Sequence, residues 1–380
     1  MKKKYIILSI ITLVLLIAFV TSFNYFKTSN TYVENNSNNQ TKITKGISMN
    51  LEKTAGAGDY KQVTQSSWPT EGYKFNAELS KCENGGEISW DDTKKAVIVS
   101  GNLSDKCYVY FDIYQLTLAE YIKSQYTGTQ GENNIYYHDS SLANGAGDNS
   151  YRYAGASDSV NNYICLGSDA TTCPDANLFR IIGVFGNQTK VIRAKSVGYQ
   201  QWHTSADNTW SSSSLNAYLN GTYLTSLGTI AEKIATTTWK VGGGSGSNIS
   251  ASVPKTAYKN EVGSSASTTI IDKKIGLMYV SDYGFAASPS AWTKTLGDYD
   301  GTDANGTSIK TINWMYMGYN EWTISRNSDI SNSAFYVLSG GGVGSNNVVS
   351  NIGVRPSFNL ESSVKYVSGS GSMSDPVRVN

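Results

Sequence analysis

The chain has 380 residues and a formal net charge of +1, from 31 basic and 30 acidic side chains. That balance argues against the basic footprint of a nucleic-acid-binding protein, and no nucleic acid is expected as a partner. Only 16% of residues are charged, while tyrosine (26) and glycine (36) are plentiful and proline (6) is scarce, a polar aromatic composition that suits an extracellular β protein better than a cytosolic enzyme.

Lys2, Lys3 and Lys4 precede an uncharged, Ile/Leu/Val-rich stretch from Tyr5 to Phe23. About 20 apolar residues span a bilayer as a helix, and a basic flank stays inside. Residues 1–23 are therefore expected to be a single-pass membrane anchor with the C-terminal ectodomain outside the cell; a cleaved signal peptide is the competing reading. Residues 24–46 include Glu34-Asn35-Asn36-Ser37-Asn38-Asn39-Gln40. Such a segment cannot bury enough apolar surface to offset its ordering entropy, and it reads as a disordered stalk.

Residues 47–114 read as a small β domain. Tyr73-Lys74-Phe75-Asn76, Glu87-Ile88-Ser89-Trp90, Ala96-Val97-Ile98-Val99 and Lys106-Cys107-Tyr108-Val109-Tyr110-Phe111 are short strand-like runs between turn signals. Residues 115–132 are a connecting helix or linker, because apolar side chains recur near helical spacing from Leu116 to Tyr126.

A larger α+β domain follows over residues 133–380. Leu178–Phe185 and Thr189–Arg193 flank Gly186-Asn187 as a hairpin. Ser211–Ser214 precede a short Ser-capped helix. Lys240–Ser252 is a Gly/Ser loop. Ile275–Val280, Glu321–Ser325, Ala334–Leu338 and Gly353–Leu360 read as strands.

Four cysteines allow three disulfide connectivities. The local pairs Cys82–Cys107 and Cys165–Cys173 are expected on an exported chain, and the first would add roughly 3 kcal/mol by loop closure. Zinc is disfavoured by spacing, since no CxxC occurs and only two histidines are present.

No nucleophile elbow, zinc-protease motif, P-loop or dinucleotide fingerprint occurs. His203 in Gln201-Trp202-His203-Thr204 and His138 in Tyr136-Tyr137-His138-Asp139 read as exposed loop histidines without converging partners. No enzyme activity is expected. Asp298, Asp300 and Asp303 are closely spaced oxygen donors that suit Ca²⁺. Their loop departs from an EF-hand, with Gly301 at the fourth position and Ile309 in place of the bidentate Glu. Calcium is the one possible cofactor, against a solvated turn.

Tyr316, Tyr319, Asn320, Tyr336, Asn346 and Asn347 are the candidate ligand contacts. Tyrosines offer rigid area at low entropic cost, and Asn adapts its hydrogen bonds. Trp314 and Trp322 are expected in the core. Arg355, between Val354 and Pro356, is expected to be buried and paired with a carboxylate such as Asp282.

The runs Ser80-Lys81-Cys82-Glu83-Asn84-Gly85-Gly86, Leu178–Phe185, Met278-Tyr279-Val280-Ser281-Asp282-Tyr283-Gly284-Phe285, Trp322-Thr323-Ile324-Ser325 and Gly353-Val354-Arg355-Pro356 resemble a family of surface proteins of gut-type Firmicutes and Mollicutes. More distantly, the C-terminal order resembles the C-type-lectin-like fold of domains related to formylglycine-generating enzyme. That resemblance implies a ligand face over Trp322–Asn347. It does not imply the enzyme's chemistry, because no cysteine follows Cys173. The expected function is a surface-anchored binding protein for an extracellular glycan or protein; the alternative is a structural, pilin-like surface protein with no small ligand.

Overall fold

A computed structural model describes residues 46–64, 67–69, 72–100, 105–263 and 269–380. It divides into two compact units at 115/116. The fold is β-rich and braced by two disulfides. The expected fold class is corrected in its first element: an N-terminal transmembrane helix is not supported, because no helix among the described residues is long and apolar enough to cross a membrane. The stretch Tyr5–Phe23 and the stalk, all but its last residue, lie outside the described residues.

Among the described residues the smaller unit has six strands: β1 (Ile47–Glu52), β2 (Tyr60–Val63), β3 (Tyr73–Cys82), β4 (Glu87–Asp91), β5 (Ala96–Ser100) and β6 (Cys107–Ile113). Four form a sheet in the order β2-β1-β6-β3, and β4–β5 is a separate hairpin. Met49, Leu51, Val97, Val109 and Phe111 make its core. Cys82 and Cys107 lie opposite each other in the β3–β6 register and are bonded.

The larger unit begins with helix α1 (Leu118–Ser124), closed by a Thr117/Glu120 capping box. Its Leu118 and Ile122 enter the main core, so the segment read as a connector is part of this unit. The strands follow as β7 (Ile135–His138), β8 (Ser150–Tyr153), β9 (Tyr163–Cys165), β10 (Leu178–Phe185), β11 (Gln188–Arg193) and β12 (Tyr199–Gln200). Next come β13 (Thr237–Lys240), β14 (Ile270–Lys273), β15 (Ile275–Gly276), β16 (Glu321–Arg326), β17 (Ser333–Val337) and β18 (Val343–Asn347). Last are β19 (Ile352–Gly353), β20 (Ser357–Leu360), β21 (Tyr366–Ser368) and β22 (Val377–Val379). Three further helices matter below: α2 (Ser214–Tyr218), α3 (Pro254–Glu261) and α4 (Val280–Ala286).

One sheet of the larger unit runs β15-β20-β11-β10-β9-β22-β21, with β8 also on β10 and β7 on β8. A register shift in β10 between Ile181 and Gly183 lets β8 pair there. A Cβ at Gly183 would lie 2.2 Å from the Tyr151 carbonyl, so glycine permits that approach. A second sheet runs β12-β19-β16-β17-β18. The six tryptophans Trp202, Trp210, Trp239, Trp292, Trp314 and Trp322 are fully buried.

The expected strand over Ile275–Val280 is corrected. β15 stops at Gly276, and Val280 starts α4. Two carboxylates hold that helix start: Asp282 accepts from Tyr279 N at 2.9 Å, and Glu261 accepts from Val280 N and Ser281 N at 2.9 Å each. Burial pushes the Glu261 carboxyl above its ordinary pKa.

Candidate functional site

The site is built at one end of the second sheet. Tyr199 of β12 stands opposite Gly353 of β19, and β16 lies on the other side of β19 with Glu321 opposite Gly353. A Cβ on Gly353 would come within 2.8 Å of the Asn320 carbonyl and 3.0 Å of the Tyr319 ring. The missing side chain therefore lets the Tyr319 ring lie across the strand. The Tyr199 and Tyr319 rings sit 6.5 Å apart, tilted by 58°. Tyr199 is 62% exposed, and every other aromatic residue among the described residues is buried or half-buried.

The loop carrying Tyr319 is held at several points. Tyr316 donates its hydroxyl to the Ser339 carbonyl at 2.7 Å, and Ser339 N donates to Asn320 Oδ1 at 2.8 Å. Beneath it, Arg355 grips Glu321 through Nε at 2.5 Å and Nη2 at 2.9 Å, and Nη2 also donates to the Met315 carbonyl at 2.8 Å. One guanidinium thus ties both ends of the 315–321 segment. Burial pushes the Glu321 carboxyl up, while Glu321 outweighs the burial of Arg355 and holds that guanidinium above its usual range. The bidentate geometry decides for the ionised pair. Burial also raises the Tyr319 phenol, so that ring is neutral at physiological pH.

The other expected contacts divide. Tyr336 is half-buried against Trp322, with ring centroids 6.0 Å apart. Asn346 and Asn347 pair with Ala334 and Ser333, at the far end of β17 from Val337, about 10 Å along the strand. Their side-chain oxygens are engaged locally: Asn346 Oδ1 accepts from Asn347 N and Ser350 Oγ, and Asn347 Oδ1 from Val349 N. They build a turn and do not join the tyrosine platform.

Arg355 is fully buried as expected, but its partner is Glu321 and not Asp282. Asp282 instead takes Lys190 at 2.5 Å and Arg152 at 3.6 Å. The histidine reading is also corrected, since both rings are buried. His138 is 0% exposed and accepts from Ala146 N through Nδ1 at 3.0 Å. His203 Nδ1 lies 3.3 Å from Ser214 N, and its Nε2 lies 3.5 Å from Asp207.

The three loop aspartates do not converge. Asp298 accepts from Thr295 Oγ1 at 2.6 Å, Asp300 is exposed, and Asp303 is buried with Oδ1 on Asn305 N and Thr307 N. Among the described residues no group of three or more His, Cys, Asp or Glu is placed to hold a metal ion. Both disulfides join the expected partners, Cys82–Cys107 and Cys165–Cys173. Two disulfides and no free cysteine among the described residues are consistent with an extracellular protein.

Sequence reasoning missed Tyr199, Gly353 and Glu321. Tyr199 follows Gly198 just after the β10–β11 hairpin, far in sequence from the other tyrosines, and only the β12–β19 pairing brings it to them.

Residues 186–362 match the model of a domain of unknown function (DUF6273). The match starts in the β10–β11 turn and ends just beyond β20, so it contains the whole platform. No curated protein and no solved structure matches the chain. The expected lectin-like and formylglycine-generating-enzyme-like relationship therefore finds no support in these comparisons.

Proposed function

We propose that the chain is an extracellular binding protein that recognises a glycan or a protein through the Tyr199–Tyr319–Asn320 face of its larger unit. The observation that carries this reading is Tyr199, a large aromatic side chain left in solvent beside a second tyrosine whose position a glycine and an ion pair fix. Tyrosines held in place bury area at low entropic cost, and their flat faces accept sugar rings or apolar peptide side chains. The Asn320 amide nitrogen makes no hydrogen bond within the described residues, which leaves a donor beside the rings.

The test is binding of the purified protein to a glycan array and to a panel of extracellular host proteins, run beside Tyr199→Ala. A specific ligand is expected, with at least a tenfold loss in the variant, since a central aromatic contact carries more than about 1.4 kcal/mol. A ligand bound equally by both proteins would move the site elsewhere. No ligand at all, with the protein recovered in ordered surface assemblies, would favour the structural alternative.

A further inference from the structure

Apart from the Lys190–Asp282–Arg152 group and Glu261, the core of the larger unit sets two arginines against one carboxylate. Arg180 interrupts the apolar run of β10, Leu178-Phe179-Arg180-Ile181-Ile182, and is 3% exposed; Arg355 is 0% exposed. Glu321 belongs to Arg355. Arg180 is met only by neutral groups: Asn162 Oδ1 at 2.6 Å, Ser157 Oγ at 2.7 Å, and the carbonyls of Val160, Ser157 and Trp314 at 3.0–3.4 Å. Its guanidinium packs on the rings of Tyr163 and Trp314, at 4.3 and 4.7 Å.

The two cations share one stretch of chain. Arg180 donates to the Trp314 carbonyl and Arg355 to the Met315 carbonyl, the next one along. Arg355 spends Nε and Nη2 on Glu321 and Met315, and its buried Nη1 donates to nothing among the described residues. That nitrogen lies on the edge of the guanidinium turned away from the carboxylate. The phenols nearest Arg355, those of Tyr283 and Tyr319, are raised by burial and stay neutral. Burial, with the repulsion of the neighbouring Arg355 guanidinium added, lowers Arg180 to about 10. The cluster therefore carries an excess positive charge and a donor without an acceptor, and buried charges and donors persist when something answers them.

We propose that a small monovalent anion, of the chloride class, is bound in the core at Arg355 Nη1 and neutralises the Arg180–Arg355 pair. A water molecule would accept the hydrogen bond but leave the charge, whereas a halide does both and asks for no donor of its own. The argument for this site does not use the proposed binding function, although Arg355 also braces the loop that carries Tyr319.

The test has two parts. Melting of the full chain is followed at constant ionic strength while chloride replaces gluconate. A saturable rise of roughly 2–4 °C is expected, and Arg180→Gln, which removes the excess charge, is expected to abolish it. Crystals grown in bromide are expected to give an anomalous peak within hydrogen-bonding distance of Arg355 Nη1. The peak is the deciding measurement, also if Arg180→Gln fails to fold: bromide data without a peak there overturn the proposal whatever the melting curves show.

Discussion

The two units hold their sheets together by different means. The smaller one has five buried apolar side chains at its centre, and its disulfide joins two residues that already face each other across the sheet. Its Asp105 carboxylate gathers the backbone amides of Asn84, Gly86 and Lys106 around the same corner. The larger unit buries six tryptophans and can accommodate charge in its interior, as Arg355–Glu321 and Lys190–Asp282–Arg152. Its disulfide closes only a short loop, with eight residues of separation. Covalent bracing is central where apolar burial is scarce; ionic bracing is affordable where burial is ample.

That contrast can be broken most directly through the ion pair. Glu321→Gln leaves Arg355 buried without its anion and is expected to cost about 3–5 kcal/mol, read as a lower urea midpoint for the larger unit alone. A shift in the smaller unit's transition would mean that the units are not energetically separate. Replacing Cys82 and Cys107 by serine is expected to cost about 3 kcal/mol, enough to unfold a unit with so small a core. The same change at Cys165 and Cys173 should cost about 2.5 kcal/mol and leave the larger unit folded, with hydrogen exchange faster only around β9 and β22. Global unfolding of the larger unit by that second change would remove the distinction.

The smallest effects sharpen the comparison. Burial, aided by the positive charge of Arg152, pushes the His138 imidazole well below its ordinary value of 6.5. The folded state thus binds this proton more weakly than the unfolded chain does. Its contribution to stability is complete above pH 6.5 and is lost as the pH falls below that, at up to about 1.4 kcal/mol per unit. His138→Asn keeps an acceptor for Ala146 N and should flatten this acid limb in the larger unit; an unchanged limb would show that His138 does not titrate on unfolding. Tyr199→Ala, the binding variant, should move stability by no more than about 0.5 kcal/mol.

Local signals in the chain foretold local structure well. Both cysteine pairs, the β10–β11 hairpin around Gly186-Asn187 and the Ser213 cap of α2 are read from neighbouring residues, and each is found. α4 was hidden because every one of its residues is buried, which erases the one-sided periodicity that marks a helix. Glu321 was hidden as the partner of Arg355 because pairing between a strand and a distant connecting segment leaves no trace at either residue. The asparagines after the glycine run looked like contacts, yet a side chain that closes its own turn has little left for a ligand. Tyr199 could be seen as a tyrosine, but not as an exposed one.

The order of strands in the larger sheet has a consequence for how the protein is made. β11 waits for β20 and β9 for β22, partners that lie some 160–210 residues further along the chain. At synthesis rates of about 5–20 residues per second, β9 stays without that neighbour for roughly 10–40 s. During that interval the nascent sheet shows bare edges, which invite aggregation, and such distant pairing is slow in any case. The same delay leaves the chain extended for longer, which suits a protein with two disulfides, bonds characteristic of oxidising compartments.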